Sequence, residues 1–538
     1  MHRDEHPGVT TSTAGVPRTG TGGPGMPGIA RGGALNLGGA AVSAVAGLLL
    51  VVVVTRALTQ ELAGVFFALT SLFLIGEMVA RLGTGTGLVY FVARLRRLGR
   101  QDEIRAVQRV ALTPVVAASL LASAALLIWT TAFAALVGAD TPGTRTAIVV
   151  LEVLLPVTTL SEALLAATRG HGTMLPTVAV DKVGRSVLQL VLVVLAVVGG
   201  GSLALLTGAY ALPWAVSALA AWWWLARLSR DLPHAAPQAP RPWREFWLFT
   251  WPRAVNSVAA LALQRLDILL LTALAGPAAA AVYTAATRFL VVGQLVSASI
   301  STAAQPRLAE VLAVDDRGSA QAVYRSATAW IVLLTWPLYL VCAVFAEVVM
   351  SIFGDGYDEG RPVIWILAGA MLLATACGMV DMLLNMAGRT SWTLANSLVA
   401  LAVMVGVDAL LIPPLGIVGA AIGWAAAILT NNLLPLTQLI VAYGLHPFGR
   451  ATVSAAALAA GCFGLLPLTT RLLAPDRPLL ALAAVAVGGL LYLLAVRRWR
   501  AALGLPTLRS LRPTRRPRTA AAADDPLPSA MTPPGGTL

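Results

Sequence analysis

Charge is scarce in this sequence. Only 12% of its 538 residues are Asp, Glu, Lys or Arg, against about 25% in soluble globular domains, and that shortage excludes a soluble globule. Lysine is almost missing: Lys182 is the only one, and arginine carries the rest of the positive charge. The three cysteines, Cys342, Cys377 and Cys462, all fall within apolar runs, which excludes a disulfide framework and offers no metal-ligand spacing. Five histidines form no HExxH-like cluster, so no metal site and no cofactor is expected. The opening stretch MHRDEHPGVTTSTAGVPRTGTGGPGMPG has no apolar core of the kind a signal peptide needs. Its Pro, Gly and Thr content predicts a disordered tail instead.

What the sequence has is apolar length. Hydrophobic residues make up 57% of it and mean hydropathy is +0.79. Runs of about 20 apolar residues, each enough to cross about 30 Å of hydrocarbon, recur from end to end and predict an all-α polytopic membrane protein. Fourteen spans are expected, at 34–55, 62–93, 107–137, 144–168, 175–198, 203–226, 246–274, 278–305, 322–350, 361–387, 391–412, 416–443, 450–471 and 478–497. Tight turns are required at VGGGSLALL (198–206) and LAGPAAAA (274–281).

The net charge of +13 and pI near 10.7 do not point to nucleic acid, because the arginines sit in the short connections between spans. Every second connection is rich in them: ARLRRLGR (93–100), Arg169, Arg227 with Arg230, Arg241 with Arg244, Arg307 with Arg317, Arg389 and Arg450. The alternate set holds Arg56, Arg145, Arg361, Arg471, Arg477 and the acidic DGYDEG (355–360). The rich side is read as cytoplasmic, which places both termini in the cytoplasm and the protein in the plasma membrane. Trp222–Trp224, Trp243, Trp247 and Trp251 then fall at the cytoplasmic interface as anchors.

An internal repeat appears at an offset of 216 residues. It brings ALTQELAGVFFALTSLF (57–73) over ALAGPAAAAVYTAATRF (273–289), Gly172 over Gly388 and Gly200 over Gly416. The offset spans six expected helices, an even number, so the two copies cross the membrane in the same sense. Such parallel repeats are typical of transporters that hold substrate between two lobes. The expected division is a disordered tail over 1–33, an N-lobe over 34–228, a cytoplasmic linker over 229–245 and a C-lobe over 246–445. Two further helices follow over 446–498, then a basic disordered tail over 499–538.

The segment NMAGRTSWTLANSLVALAVMVGVDALLIPPLGIVGAAIGWAAAI (385–428) resembles the eleventh and twelfth helices of the polysaccharide transport family. That family belongs to the multidrug/oligosaccharidyl-lipid/polysaccharide exporter superfamily. The matching features are Gly388-Arg389, Ile412-Pro413 and GIVGAAIG (416–423); GGALNLGGAAVSAVAGLLLVVVVTRALTQELAGVFFALTSL (32–72) is similar to the family's first two helices. The resemblance covers roughly 31–445. It implies two pseudo-symmetric six-helix lobes around a central cavity, plus two extra C-terminal helices, and the outward movement of lipid-linked saccharides.

Buried charges supply the site candidates. In the segment 246–274, Arg253, Asn256, Ser257, Gln264 and Asp267 fall within about a 100° sector, the mark of a cavity-lining helix, with Arg265 off its edge. A charge at the bilayer centre costs roughly 2.5–3.5 kcal/mol on insertion scales. Arg265 and Arg288 both lie about 15 Å deep at 1.5 Å per residue, and two guanidiniums at one level suit a diphosphate. The competing reading pairs them with Asp267 or Asp381. Glu77 with Arg81 and Asp181 with Arg185, each four residues apart, are expected intrahelical ion pairs, and Glu77, Arg81, Lys182 and Arg185 are placed on the N-lobe wall. The substrate-binding candidates are therefore Arg253, Asn256, Gln264, Arg265, Arg288, Arg81, Lys182 and Arg185. Ion-coupling candidates are Glu77, Asp267 and Asp381, whereas Asp408 is expected at the membrane interface.

The leading expectation is a flippase for polyprenyl-diphosphate-linked oligosaccharide, working by alternating access in surface polysaccharide or cell-envelope synthesis. Its partners are the lipid-linked saccharide, membrane lipids and a polysaccharide polymerase or glycosyltransferase, with no nucleic acid and a monomer as the default. The alternatives are a peptidoglycan-precursor (lipid II) flippase and a cation-coupled multidrug exporter; the excess of buried arginine disfavours the exporter. An enzyme is not expected, because the connections on the arginine-poor side are too short for a catalytic domain. DGYDEG also lacks the terminal Glu of a calcium loop.

Overall fold

The computed structural model describes residues 26–230, 232–233, 243–474 and 478–498. The stretches 1–25 and 499–538, expected as tails, and most of the expected linker (231 and 234–242) lie outside the described residues. Every regular element among the described residues is helical.

The first half holds α1 (Met26–Ala57), α2 (Gln60–Ala80), α3 (Thr84–Arg97), α4 (Ile104–Ile128), α5 (Thr130–Leu136) and α6 (Pro142–Gly170). A π-helical stretch, Thr177–Arg185, then runs straight into α7 (Ser186–Val198), and α8 (Leu203–Leu228) closes the half. The second half holds α9 (Trp243–Ala275), α10 (Pro277–Ala286), α11 (Phe289–Ala313), α12 (Arg317–Val344), α13 (Ala346–Ser351), α14 (Arg361–Cys377), α15 (Val380–Met386), α16 (Thr390–Leu415) and α17 (Ile417–Tyr443). Last come α18 (Arg450–Ala459), α19 (Leu466–Leu473) and α20 (Pro478–Arg498).

Helix α1 starts at Met26, eight residues inside the expected tail. Pro27 sits in its first turn, where a missing N–H does no harm, and no proline follows until Pro114. Twelve helices are long and apolar enough to cross a bilayer, and thirteen if α10 and α11, bent by 44° at their junction, form one span. The expected fourteenth, 175–198, falls short on composition: Asp181, Lys182 and Arg185 crowd its first half. The molecule is a multi-pass membrane protein.

The 216-residue repeat holds in three dimensions. It carries the end of α3, Arg97, onto the end of α11, Ala313, and the end of α6, Gly170, onto the end of α15, Met386. Trp129, the break between α4 and α5 (φ −102°, ψ 19°), maps onto Phe345, the break between α12 and α13 (φ −103°, ψ 29°). The turn glycines correspond as well: Gly172 and Gly388 have φ of 83° and 76°, Gly200 and Gly416 have 98° and 55°. Those left-handed values require glycine, which is why the glycines repeat while the charges do not.

The apolar cores show how the halves meet. At the arginine-poor end one continuous cluster draws on α1, α2, α6, α8, α9, α10, α14 and α17 together. At the arginine-rich end there are two. One belongs to the first half, with Phe246 of α9 joined to it, and the other to the second half, around Tyr324, Leu383 and Leu439. The closed end is tight. A Cβ on Gly64 of α2 would lie 1.7 Å from the Pro277 carbonyl oxygen of α10, the close small-residue contact that membrane helices use in place of a hydrophobic driving force. Arg56, at the end of α1, donates to the carbonyls of Ser351 (3.1 Å) and Ile352 (2.7 Å) at the end of α13. Joined at one end and parted at the other, the two halves enclose a space that widens toward the arginine-rich side.

Candidate functional site

Three cavities occupy that space. The widest, about 1080 Å³, lies at the arginine-rich mouth between α2–α3 and α9 and reaches Gln305 and Met386 of the second half. Five arginines line it: Arg81, Arg94, Arg97, Arg169 and Arg253. Arg81 forks onto Glu77 at 2.6–2.8 Å, with Glu162 at 3.7 Å from its other nitrogen. Arg253 donates to the Phe249 carbonyl at 2.6 Å and stands 3.7 Å over the Phe249 ring. Arg94 pairs with Glu245 at 2.6 Å, both well exposed.

The second cavity, about 510 Å³, lies deeper between α1 and α11, with the start of the 177–198 segment and α9 as its other walls. Arg265 and Arg288 both face it, as do Asp181 and Lys182. Among the described residues neither arginine has a carboxylate partner. Arg288, at the α10–α11 junction, donates to the Thr284 carbonyl at 2.9 Å and Thr287 Oγ1 at 3.4 Å, and among the described residues Arg265 makes no hydrogen bond. Small residues on α1, Ala40, Ser43, Ala44 and Gly47, leave room beside them.

The third cavity, about 460 Å³, lies within the second half and is lined by Asn256 and Gln264 of α9, Gln294 of α11, Asp381 of α15 and Asn431 and Asn432 of α17. Gln294 also faces the second cavity, so the two adjoin.

The sequence candidates therefore divide among three places. Lys182, Arg265 and Arg288 meet in the second cavity, Arg81 and Arg253 in the mouth, and Asn256, Gln264 and Asp381 in the third. Arg265, expected off the polar stripe of α9, faces a cavity nonetheless, because α9 borders more than one.

Three placements differ from expectation. Arg185 is not on the cavity wall: it pairs with Asp181 at 2.5 Å and stacks 4.5 Å over Trp214 inside the first half. Asp267 does not open to a cavity. It is fully buried and accepts from the Tyr283 hydroxyl at 2.6 Å and its neighbour's Ile268 N–H at 2.8 Å, so Tyr283 occupies the oxygen that a passing ion would need. Asp408, expected at the membrane interface, is fully buried in protein where α16 crosses α17 at Gly423. Glu77 is buried under Arg81 as the expected ion pair. Gln294, Asn431 and Asn432 were absent from the candidates, although the Asn-Asn pair inside the apolar run AAAILTNNLLPL is a readable signal of polar groups at membrane depth.

The fold has solved relatives. It is similar to the lipid II flippase MurJ in an inward closed conformation, with a TM-score of 0.67 at 12% identity over 85% of this chain and 97% of that one. It is also similar to an inward-facing multidrug resistance MATE family transporter of the MOP superfamily, with a TM-score of 0.63 at 16% identity over 74% and 95%. A third is a MOP superfamily transporter from Pyrococcus furiosus whose binding pocket is described as of reverse polarity. There the TM-score is 0.54 at 16% identity over 77% and 95%. Such identities speak for the fold alone. No curated protein matches the sequence. Residues 252–418 match the MatE family, and residues 29–312, more than half of the chain, match the family described as polysaccharide biosynthesis protein. The protein belongs to that polysaccharide biosynthesis family.

Proposed function

We propose that this protein moves a polyprenyl-diphosphate-linked oligosaccharide from the inner to the outer leaflet of the plasma membrane by alternating access, for surface polysaccharide or cell-envelope synthesis. The arginine-rich end, with both chain termini, is the cytoplasmic end. The observation that carries the reading is the meeting of Arg265 and Arg288 in one membrane-depth cavity, where neither forms an ion pair among the described residues and the one carboxylate on the wall, Asp181, is taken up by Arg185.

Two unpaired guanidiniums in a low-dielectric interior are expensive unless an anion completes them. A diphosphate does so with matched geometry, since each guanidinium presents a planar fork of donors. The five arginines at the mouth draw such an anion in from the cytoplasmic leaflet. The cavity between α1 and α11 has an apolar rim of Leu48, Val291, Val292 and Leu295, and the lipid tail remains in the bilayer along that seam while the head group enters. Loosening of the single core at the closed end, with closure of the two at the open end, then carries the head group across.

Lipid II also carries a polyprenyl diphosphate, and the similarity to MurJ keeps it as the second reading; the arginine-lined mouth disfavours a cationic drug. The protein acts as a transporter rather than an enzyme.

The test is leaflet crossing of a fluorescent polyprenyl-diphosphate saccharide in reconstituted vesicles. A charge-assisted hydrogen bond contributes about 1.5–3 kcal/mol, so Arg265→Ala or Arg288→Ala should weaken binding roughly 10- to 100-fold and slow crossing accordingly. Lysine at either position should restore part of it. Wild-type crossing in both alanine variants would rule the reading out.

A further inference from the structure

The cavity of the second half differs in chemistry from its neighbours. Its described lining contains no arginine, lysine or histidine, and its only charged group is Asp381. Its polar wall is made of amides, with hydroxyls of Ser297, Thr375 and Thr393 among them. Each amide offers two donors and an acceptor, a set suited to hydroxyl groups, which both give and take hydrogen bonds.

Four atoms of this lining are buried without a hydrogen-bond partner: Asn256 Oδ1, Ser297 Oγ, Asp381 Oδ1 and Asn431 Oδ1. A buried polar group left unmatched is destabilising. They come from four different helices, α9, α11, α15 and α17, so no local backbone feature accounts for them. Three are acceptors and the fourth, the Ser297 hydroxyl, accepts as readily as it donates, so a ligand rich in O–H or amide N–H donors would satisfy them together. The volume of about 460 Å³ suits a small saccharide, and Trp424 supplies a flat apolar face for a pyranose ring. A ligand with its own carboxylate would meet Asp381 with no cation on the wall to offset the repulsion, which is discrimination by an unfavourable contact.

Resting on the reading of a diphosphate at Arg265 and Arg288, we infer that this cavity is the saccharide subsite, and that it takes a neutral sugar bearing hydroxyl or acetamido groups and rejects a uronic acid. Gln294, which faces both cavities, stands where the sugar joins the diphosphate.

The experiment measures binding of three lipids to the full-length protein in lipid nanodiscs. All share one short polyprenyl diphosphate: one bare, one carrying a neutral N-acetylhexosamine and one carrying glucuronic acid at the same position. Hydrogen bonds of about 0.5–1.5 kcal/mol each should make the neutral glycolipid bind roughly tenfold more tightly than the bare lipid, with the glucuronyl lipid no tighter than bare. Asn256→Ala with Asn431→Ala should erase the preference for the neutral sugar, and Asp381→Asn should admit the glucuronyl lipid. Equal binding of the two glycolipids to the wild type would overturn the subsite. So would a full preference in the doubly substituted protein. If the bare lipid binds an Arg265→Ala, Arg288→Ala protein as it binds wild type, the diphosphate reading itself has failed. Binding of none of the three lipids overturns both.

Discussion

Asp408 has no hydrogen-bond partner for either carboxylate oxygen and is fully buried. What keeps it in place is shape. A Cβ on Gly423 of α17 would lie 1.8 Å from its Oδ1, so the carboxyl group fills the hollow that the missing side chain leaves. A methyl group there has nowhere to go, because the facing atoms belong to a short, packed side chain on a rigid helix. Gly423→Ala should therefore destabilise the protein by about 1–3 kcal/mol, the usual range for overpacking. Removing the obstruction with Asp408→Ala in the same chain should return most of that loss. Melting temperatures of the two single variants and the double variant in one detergent decide it. Additive losses would mean that the two positions do not share the hollow.

Helix α9 shows how far an element can be read from its residues. Its polar stripe is visible in the spacing of Arg253, Asn256, Gln264 and Asp267, and three of those four do line cavities. Asp267 does not, because Tyr283, sixteen residues later on α10, closes over it. No period within α9 encodes a partner on the next helix. Arg265 is the opposite case: it stands off the stripe, yet it lines a cavity because α9 borders more than one. Asp408 was misread because distance along α16 gives depth only, whereas burial depends on Gly423 of α17. Arg185 forms the expected pair with Asp181, but its place off the cavity wall depends on Trp214 of α8, a partner that no spacing within its own segment encodes. Helix ends and glycine turns were legible for a simpler reason, since left-handed backbone is local and glycine announces it. The contact between α2 and α10 at Gly64 and Pro277 turns that locality into a prediction. Gly64→Leu should wedge the arginine-poor end apart and shift the population toward its open form. In a chain with Cys342, Cys377 and Cys462 replaced, a cysteine at the buried position Thr70 should then react faster with a membrane-impermeant thiol reagent added on that side. An unchanged labelling rate would mean that this contact does not hold the end shut.

Across the whole molecule, the repeat accounts for everything from α1 to α17 and for nothing beyond. Helices α18 and α20 lie against one face of α12, through Val332, Leu333, Ala455, Ala459 and Tyr492. With α19 they add few polar links: the Tyr492 hydroxyl to the Leu333 carbonyl at 2.6 Å, and Arg471 to Glu347 and the Val344 carbonyl. In water, stripping a helix pair from an apolar face would expose that face and bring aggregation. In a bilayer the uncovered surface meets lipid tails as apolar as the side chains it lost, so the driving force for keeping the pair is weak. The 444–449 connection is another matter. The His446 N–H donates to the Gln321 side-chain oxygen at 3.0 Å, and Arg325 reaches the His446 ring at 2.7 Å, which ties the end of α17 to α12. A chain ending at Gly449 keeps that tie and loses mainly lipid-replaceable contacts, with the few polar links of Arg471 and Tyr492. It should be recovered as a monodisperse protein with a modestly lower melting temperature, whereas one ending at Tyr443 should lose considerably more. Size-exclusion profiles and melting curves of the two truncations, measured side by side in the same detergent and lipid, would test this. Collapse of the longer one would make α18–α20 part of the fold's core, and equal stability of the two would remove the His446 tie from the account.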